Sequence, residues 1–215
     1  QFCLNHQKTF VVIDNGFKTS SKVAGGMFNP VVLKRFTSIW EAQAQLELAD
    51  SFYLEIEEML NTLFYHKLPI YRKFATVEEQ NNWFVACDNP ITSPYLNENL
   101  LKDKFQHIHS EYYFGEVYNT GFLNVNAFVQ TYQTYLEQKN LLLKETFIYN
   151  ELTSGDEIVN YKHIQAKHIV FAEGFSMLNN KFFNYLPLDG TKGELLYVKI
   201  PDLKLQAIVK SNVFI

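Results

Sequence analysis

Residues 8–16 read KTFVVIDNG. Phe10, Val11, Val12 and Ile13 form an apolar, largely β-branched run, and Asp14-Asn15-Gly16 behind it is a turn signal. Residues 8–14 are therefore expected as a buried strand. An acidic residue at the carboxyl end of such a strand is where a dinucleotide-binding fold holds a ribose hydroxyl. In that fold the acidic residue follows a G-x-G-x-x-G turn by about 20 residues. Here thirteen residues precede Asp14, and QFCLNHQ contains no glycine. Asp14 is either a ribose ligand whose glycine loop is missing or a charged strand end.

The 215 residues can form one large domain or two small ones, either with a real core. Apolar residues make up 47% and charged residues 20%, which places the chain among globular proteins. The 19 Phe and 13 Tyr suit deep apolar layers and a cavity for a flat ligand. A net charge of −4 and a pI near 5.9, with no basic run, argue against a nucleic-acid groove. Cys3 and Cys87 are isolated and lack C-x-x-C spacing, so reduced thiols in a cytoplasmic setting are expected. No apolar stretch approaches membrane-spanning length, and no basic segment followed by an apolar core marks a secretory signal.

Beyond the first strand, residues 16–30 (GFKTSSKVAGGMFNP) read as a loop closed by Pro30. Apolar positions at Phe36, Ile39, Trp40, Leu46, Phe52, Tyr53, Ile56, Met59, Leu60 and Leu63 recur in steps of three and four and predict a long helix. LPIYRKF (68–74) reads as a strand. Thr76 and Glu79 have capping-box spacing for a helix through Trp83 and Phe84 to Cys87. Residues 105–125 alternate and read as two or three antiparallel strands, after which Asn126 is placed to cap another helix. HIVFAEG (168–174) reads as a second fully apolar strand, and GELLYVKI and LQAIVKSNVFI as strand-like runs. Two buried-type strands about 150 residues apart, enclosing helices and antiparallel material, fit a dinucleotide-type domain interrupted by an insertion.

In SSKVAGGMFNP (20–30), the hydroxyls of Ser20 and Ser21 suit phosphate or ribityl oxygens, and Ala24-Gly25-Gly26 would let a planar ring approach the backbone. The same composition also describes an ordinary loop. His107-x-His109 would put two imidazoles on one strand face, but no third ligand is spaced near them, so no metal is expected. Glu55, Glu57 and Glu58 read as a solvated helix face.

VVIDNG, SSKVAGGMFNP, HIVFAEGF and PLDGTKGELLYV, in that order and at these separations, resemble the D-amino-acid oxidase/glycine oxidase group of FAD-dependent oxidoreductases. The resemblance implies FAD as cofactor, with Asp14 on the adenosine ribose and Ser20 and Ser21 near the pyrophosphate and ribityl chain. It implies that Ala24, Gly25, Gly26 and Met27 line the isoalloxazine, and that Phe147 and Ile148 present backbone to the adenine. Ala172 and Gly174 match a strand-end A-x-G that packs on the cofactor, with Glu173 where the family often has a small residue. The family's G-x-G-x-x-G would lie upstream of Gln1. Its second glycine-containing flavin loop and a substrate-binding arginine would lie beyond Ile215.

The fold implied is α/β: a partial Rossmann-like FAD-binding domain, 1–35 with 146–175, and an inserted α+β substrate domain, 36–145 with 176–215, whose sheet is mainly antiparallel. The reaction implied is oxidation of a carbon–nitrogen bond in a small-molecule amine or amino acid by hydride transfer to the flavin. Tyr112 and Tyr113 are the expected pocket wall, and no general base is assigned. Without its phosphate loop the chain alone is expected to hold FAD very weakly. A non-catalytic module and an NAD-type enzyme sharing the ribose carboxylate remain alternatives.

Overall fold

A computed structural model describes residues 1–16, 20–155 and 157–215. Its architecture is mixed α/β with several small, mostly antiparallel sheets. The chain divides into two compact units, Gln1–Ala24 with Tyr132–Leu196, and Gly25–Thr131 with Tyr197–Ile215. Residues 25–35, expected with the first part, belong to the second unit. Met27–Phe28 pairs there with Gly121–Leu123, and Val31–Val32 forms a hairpin with Thr37–Ser38.

In the first unit, the strand expected over 8–14 is only Val12–Ile13, paired in parallel with Leu142–Leu143. HIVFAEG is not a strand. Residues 168–173 run as irregular backbone into the 3₁₀ turn Gly174–Asn179, and Val170 is 86% exposed. An apolar run becomes a strand only where a neighbouring ladder satisfies its backbone, and among the described residues none lies beside this one. GELLYVKI forms no strand for the same reason, and Tyr197 is 83% exposed. Around Ser154-Gly155, Leu152–Ser154, Val159–Tyr161 and Ile164–Ala166 form a three-stranded antiparallel meander. Asp156, within the expected turn, lies outside the described residues.

The second unit holds two three-stranded sheets. In one, Ile70–Lys73 is the central strand, antiparallel to Phe114–Val117 and parallel to Ile208–Lys210. In the other, Gly121–Leu123 is central between Met27–Phe28 and Tyr65–Lys67. The alternating stretch 105–125 thus gives two strands in two different sheets, while 105–113 is irregular, with Phe105 and Ile108 packed beside Tyr71 and Phe114. The long helix spans Ala42–Leu60 and not 36–63, because Phe36 and Glu41 both adopt left-handed backbone before it. Its Glu57 is not on a solvated face. It is buried, and one carboxylate oxygen accepts the N–H groups of Phe64 at 2.5 Å and Tyr65 at 2.7 Å, aligning the following strand.

The helix Val77–Asp88 starts as its spacing predicts: Thr76 Oγ1 accepts the Glu79 N–H at 3.1 Å. It buries Trp83 and Ala86 against Phe36 and Phe74. In the helix Val125–Gln138, the first-turn cap is Asn124, whose Oδ1 accepts the Ala127 N–H at 3.1 Å; Asn126, expected as the cap, lies inside the first turn. Among the described residues no helix is long and apolar enough to cross a membrane.

Candidate functional site

The first unit builds its clearest polar arrangement at Asp14. Asn140 adopts left-handed backbone and stops the helix Val125–Gln138. Its N–H donates to the Glu137 carbonyl at 2.9 Å, and the Leu141 N–H reaches back to the Leu136 carbonyl at 2.8 Å. This is a Schellman ending, and it turns the chain directly into Leu142–Leu143. That strand pairs Val12 with Leu142 and Ile13 with Leu143, and the Asp14 N–H closes the ladder on the Leu143 carbonyl at 3.0 Å. Asp14 therefore stands at the carboxyl end of a two-stranded parallel pair.

The Asp14 carboxylate is held on both sides. Oδ1 accepts the Gly16 N–H at 2.9 Å, an Asx turn, and Oδ2 accepts from Gln133 Nε2 at 2.7 Å. Gly16 has φ +74°, which only glycine adopts without strain, and a side chain there would meet open space. Lys22 donates to the Gly16 carbonyl at 3.1 Å and so ties the short helix Ser20–Val23 to the same turn. Ser20 and Ser21 lie on that helix and are exposed, as is Ala24 after it.

A second arrangement in this unit gathers Phe147, Ile148, Ala172 and Gly174. Phe147 stacks on Tyr161 at 4.5 Å and meets Tyr149 and Phe171 edge-on. The Ile148 N–H donates to the Tyr161 hydroxyl at 3.2 Å and its carbonyl accepts the Glu151 N–H at 3.0 Å, so both backbone groups expected to face adenine are engaged internally. Phe171, Ala172, Glu173 and Gly174 line a recess of about 510 Å³ together with Phe175, Met177, Phe183 and Leu188.

Glu173 is fixed beside that recess by Tyr149, whose hydroxyl donates to one carboxylate oxygen, and by Asn180, whose Nδ2 donates to the other at 2.6 Å. Asn180 is fully buried. Burial, and then the neighbouring Glu173 carboxylate, push the Tyr149 phenol up to about 12. A phenol raised from 10 stabilises the fold fully below pH 10 and loses that contribution as pH climbs through about 12. Tyrosinate absorbance in an alkaline titration is expected to show several late-titrating tyrosines, Tyr149 among them with Tyr65 and Tyr71, and Glu173→Ala should move one of them toward 10. A Tyr149 that titrates unchanged in Glu173→Ala would break the assignment.

The remaining expected residues lie in the second unit. Gly26 has φ +66°, and a Cβ there would lie 2.0 Å from the Leu123 carbonyl oxygen, so packing of the sheet itself demands glycine. Gly25 is exposed, and Met27 is 37% exposed on a strand edge. Tyr112 packs half-buried on the core of this unit. Tyr113 is exposed, takes Lys102 over its ring at 5.9 Å and donates its N–H to Gln80 Oε1 at 3.3 Å. Neither lines the polar recess of this unit, bounded by Cys87, Asn97, Glu98 and Tyr118.

Sequence reasoning passed over Gln133, Tyr149 and Asn180. Gln133 sits 119 residues from Asp14, and a lone glutamine inside a helical run carries no local signal of its partner. No protein-family model and no solved structure matches the chain.

Proposed function

We propose that this chain carries the ribose-binding part of an FAD site in an amine- or amino-acid-oxidising flavoenzyme of the D-amino-acid oxidase/glycine oxidase kind. The observation that supports it most is Asp14: a carboxylate at the carboxyl end of a parallel strand pair, oriented by Gly16 and Gln133. An ionised carboxylate offers about four acceptor positions. Among the described residues two are used, by Gly16 and Gln133, so two are left for vicinal hydroxyls.

The fit to the rest of FAD is uneven. No G-x-G-x-x-G occurs in the 215 residues, and the helix Ser20–Val23 is a single turn, so the pyrophosphate finds no amide cradle among the described residues. Of the aromatic group Phe147, Tyr149, Tyr161 and Phe171, packed on one another, Phe171 is the ring that lines the adjoining recess and would flank a purine there, and Glu173 marks the polar side of that recess. FAD, when bound, supplies the hydride acceptor for oxidising a carbon–nitrogen bond. The chain's own residues bind the ribose, shield the purine and keep a carboxylate fixed beside it.

Titration with FAD, followed by flavin fluorescence, tests the reading. Weak, saturable binding is expected, and Asp14→Ala should weaken it roughly tenfold or more, since a hydrogen bond to a charged group contributes about 1.5–3 kcal/mol. Lumiflavin, which has no ribose, should be indifferent to that substitution. Absence of saturation, or an Asp14→Ala variant that binds FAD as the parent does, would defeat the proposal.

A further inference from the structure

We infer that Gln133 is a positioning residue for the ribose: it selects which faces of the Asp14 carboxylate are offered to the vicinal hydroxyls. The inference rests on the ribose reading of Asp14 just given. Because an ionised carboxylate only accepts hydrogen bonds, the amide of Gln133 must present its nitrogen to Asp14, and the 2.7 Å contact from Nε2 to Oδ2 is of that kind. The Gly16 N–H takes one position on the other oxygen at 2.9 Å. With one donor on each oxygen, the carboxylate cannot rotate about its Cβ–Cγ bond without losing both. Among the described residues one acceptor position per oxygen is left, which matches two adjacent hydroxyls better than a single one.

The backbone position of Gln133 is built by the chain. Leu136, one turn further along the helix, is buried, and the Schellman ending at Asn140 fixes how that helix meets Leu142–Leu143. That strand is in register with Val12–Ile13, the residues just before Asp14. Helix stop, strand register and carboxylate orientation are consecutive consequences of one stretch, 133–143.

The test compares adenosine 5′-diphosphate with its 2′,3′-dideoxy analogue by calorimetry at millimolar ligand, using the full 215-residue chain. The parent is expected to prefer the diphosphate bearing hydroxyls. Gln133→Leu, close in size but without the amide, should weaken that ligand three- to tenfold and leave the dideoxy analogue within twofold. Gln133→Glu, which sets a second carboxylate against Asp14, should weaken it more than tenfold. In an Asp14→Ala background Gln133→Leu should have no further effect. A Gln133→Leu loss equal for both ligands would mean a merely structural residue, and no loss for either would mean no role; both overturn the inference while leaving Asp14 in place. A parent chain that does not distinguish the two ligands overturns the ribose reading and this inference together.

Discussion

Arg72→Ala is expected to lower the unfolding free energy of the second unit by about 3–5 kcal/mol, the usual cost of breaking a buried charge pair from one side. The Arg72 and Glu79 side chains are only 11% and 16% exposed. The guanidinium grips Glu79 through Nε at 2.7 Å and through a second nitrogen, and a third nitrogen donates to the Ser211 carbonyl at 2.5 Å. Glu79 in turn accepts the Ala75 N–H at 2.8 Å while its own N–H is capped by Thr76. One side chain therefore joins a central strand, a helix start and the segment that follows Ile208–Lys210. Removing it strands a carboxylate and a carbonyl together. Arg72→Lys keeps the charge but not the planar fork, and is expected to recover only part of the loss. Denaturant unfolding gives the energy, and amide exchange at Val209 and Lys210 gives its location. A loss below about 1 kcal/mol, as surface pairs show, would contradict the arrangement.

Trp83→Ala should cost a similar amount, about 3–5 kcal/mol, through the cavity that a deleted core aromatic leaves. Trp83 is wholly buried. It meets Phe36 edge-on at 5.3 Å and Phe74 at 5.5 Å, and its indole N–H donates to the Asn97 carbonyl at 3.0 Å. The opposite error is also costly here. A Cβ on Gly115 would lie 2.6 Å from the Trp83 ring and 2.8 Å from Phe74, so Gly115→Ala overfills the same space and is expected to cost about 1–3 kcal/mol. Combining Gly115→Ala with Trp83→Phe, which vacates part of the ring, should cost less than the sum of the two singles. Strict additivity in urea unfolding would show that the two residues do not share this space.

These two sites also mark where the sequence was legible. The helix holding Trp83 announced itself through Thr76 and Glu79, whose spacing is local chemistry that tertiary context rarely overrides. The core of Ala42–Leu60 was readable from periodicity for the same reason, and LPIYRKF was read as a strand that forms over Ile70–Lys73. HIVFAEG was not legible, because an apolar run records a preference for burial and says nothing of which backbone will pair with it. Glu57 was misread because its partners are the backbone N–H groups of Phe64 and Tyr65, and backbone leaves no trace in composition. At the candidate site, Asp14 was visible from its position after a β-branched run. Gln133 was not, since it approaches Asp14 from 119 residues along the chain, through a helix stop and a strand register at 140–143 that no local pattern at Asp14 records.

The strand Ile208–Lys210 has a consequence for biosynthesis. It adds in parallel to Ile70–Lys73, whose other edge is taken by Phe114–Val117. On a ribosome, the Phe114–Val117 edge can form long before residue 208 exists. At roughly 5–20 residues per second, the opposite edge of Ile70–Lys73 waits on the order of five to twenty seconds for its neighbour. During that interval a strand with unpaired backbone, guarded only by the charges of Arg72 and Lys73, is open to any extended segment nearby, including the same strand on an adjacent nascent chain. Yield at high expression rates is therefore governed by how well that one edge is guarded until its last neighbour arrives.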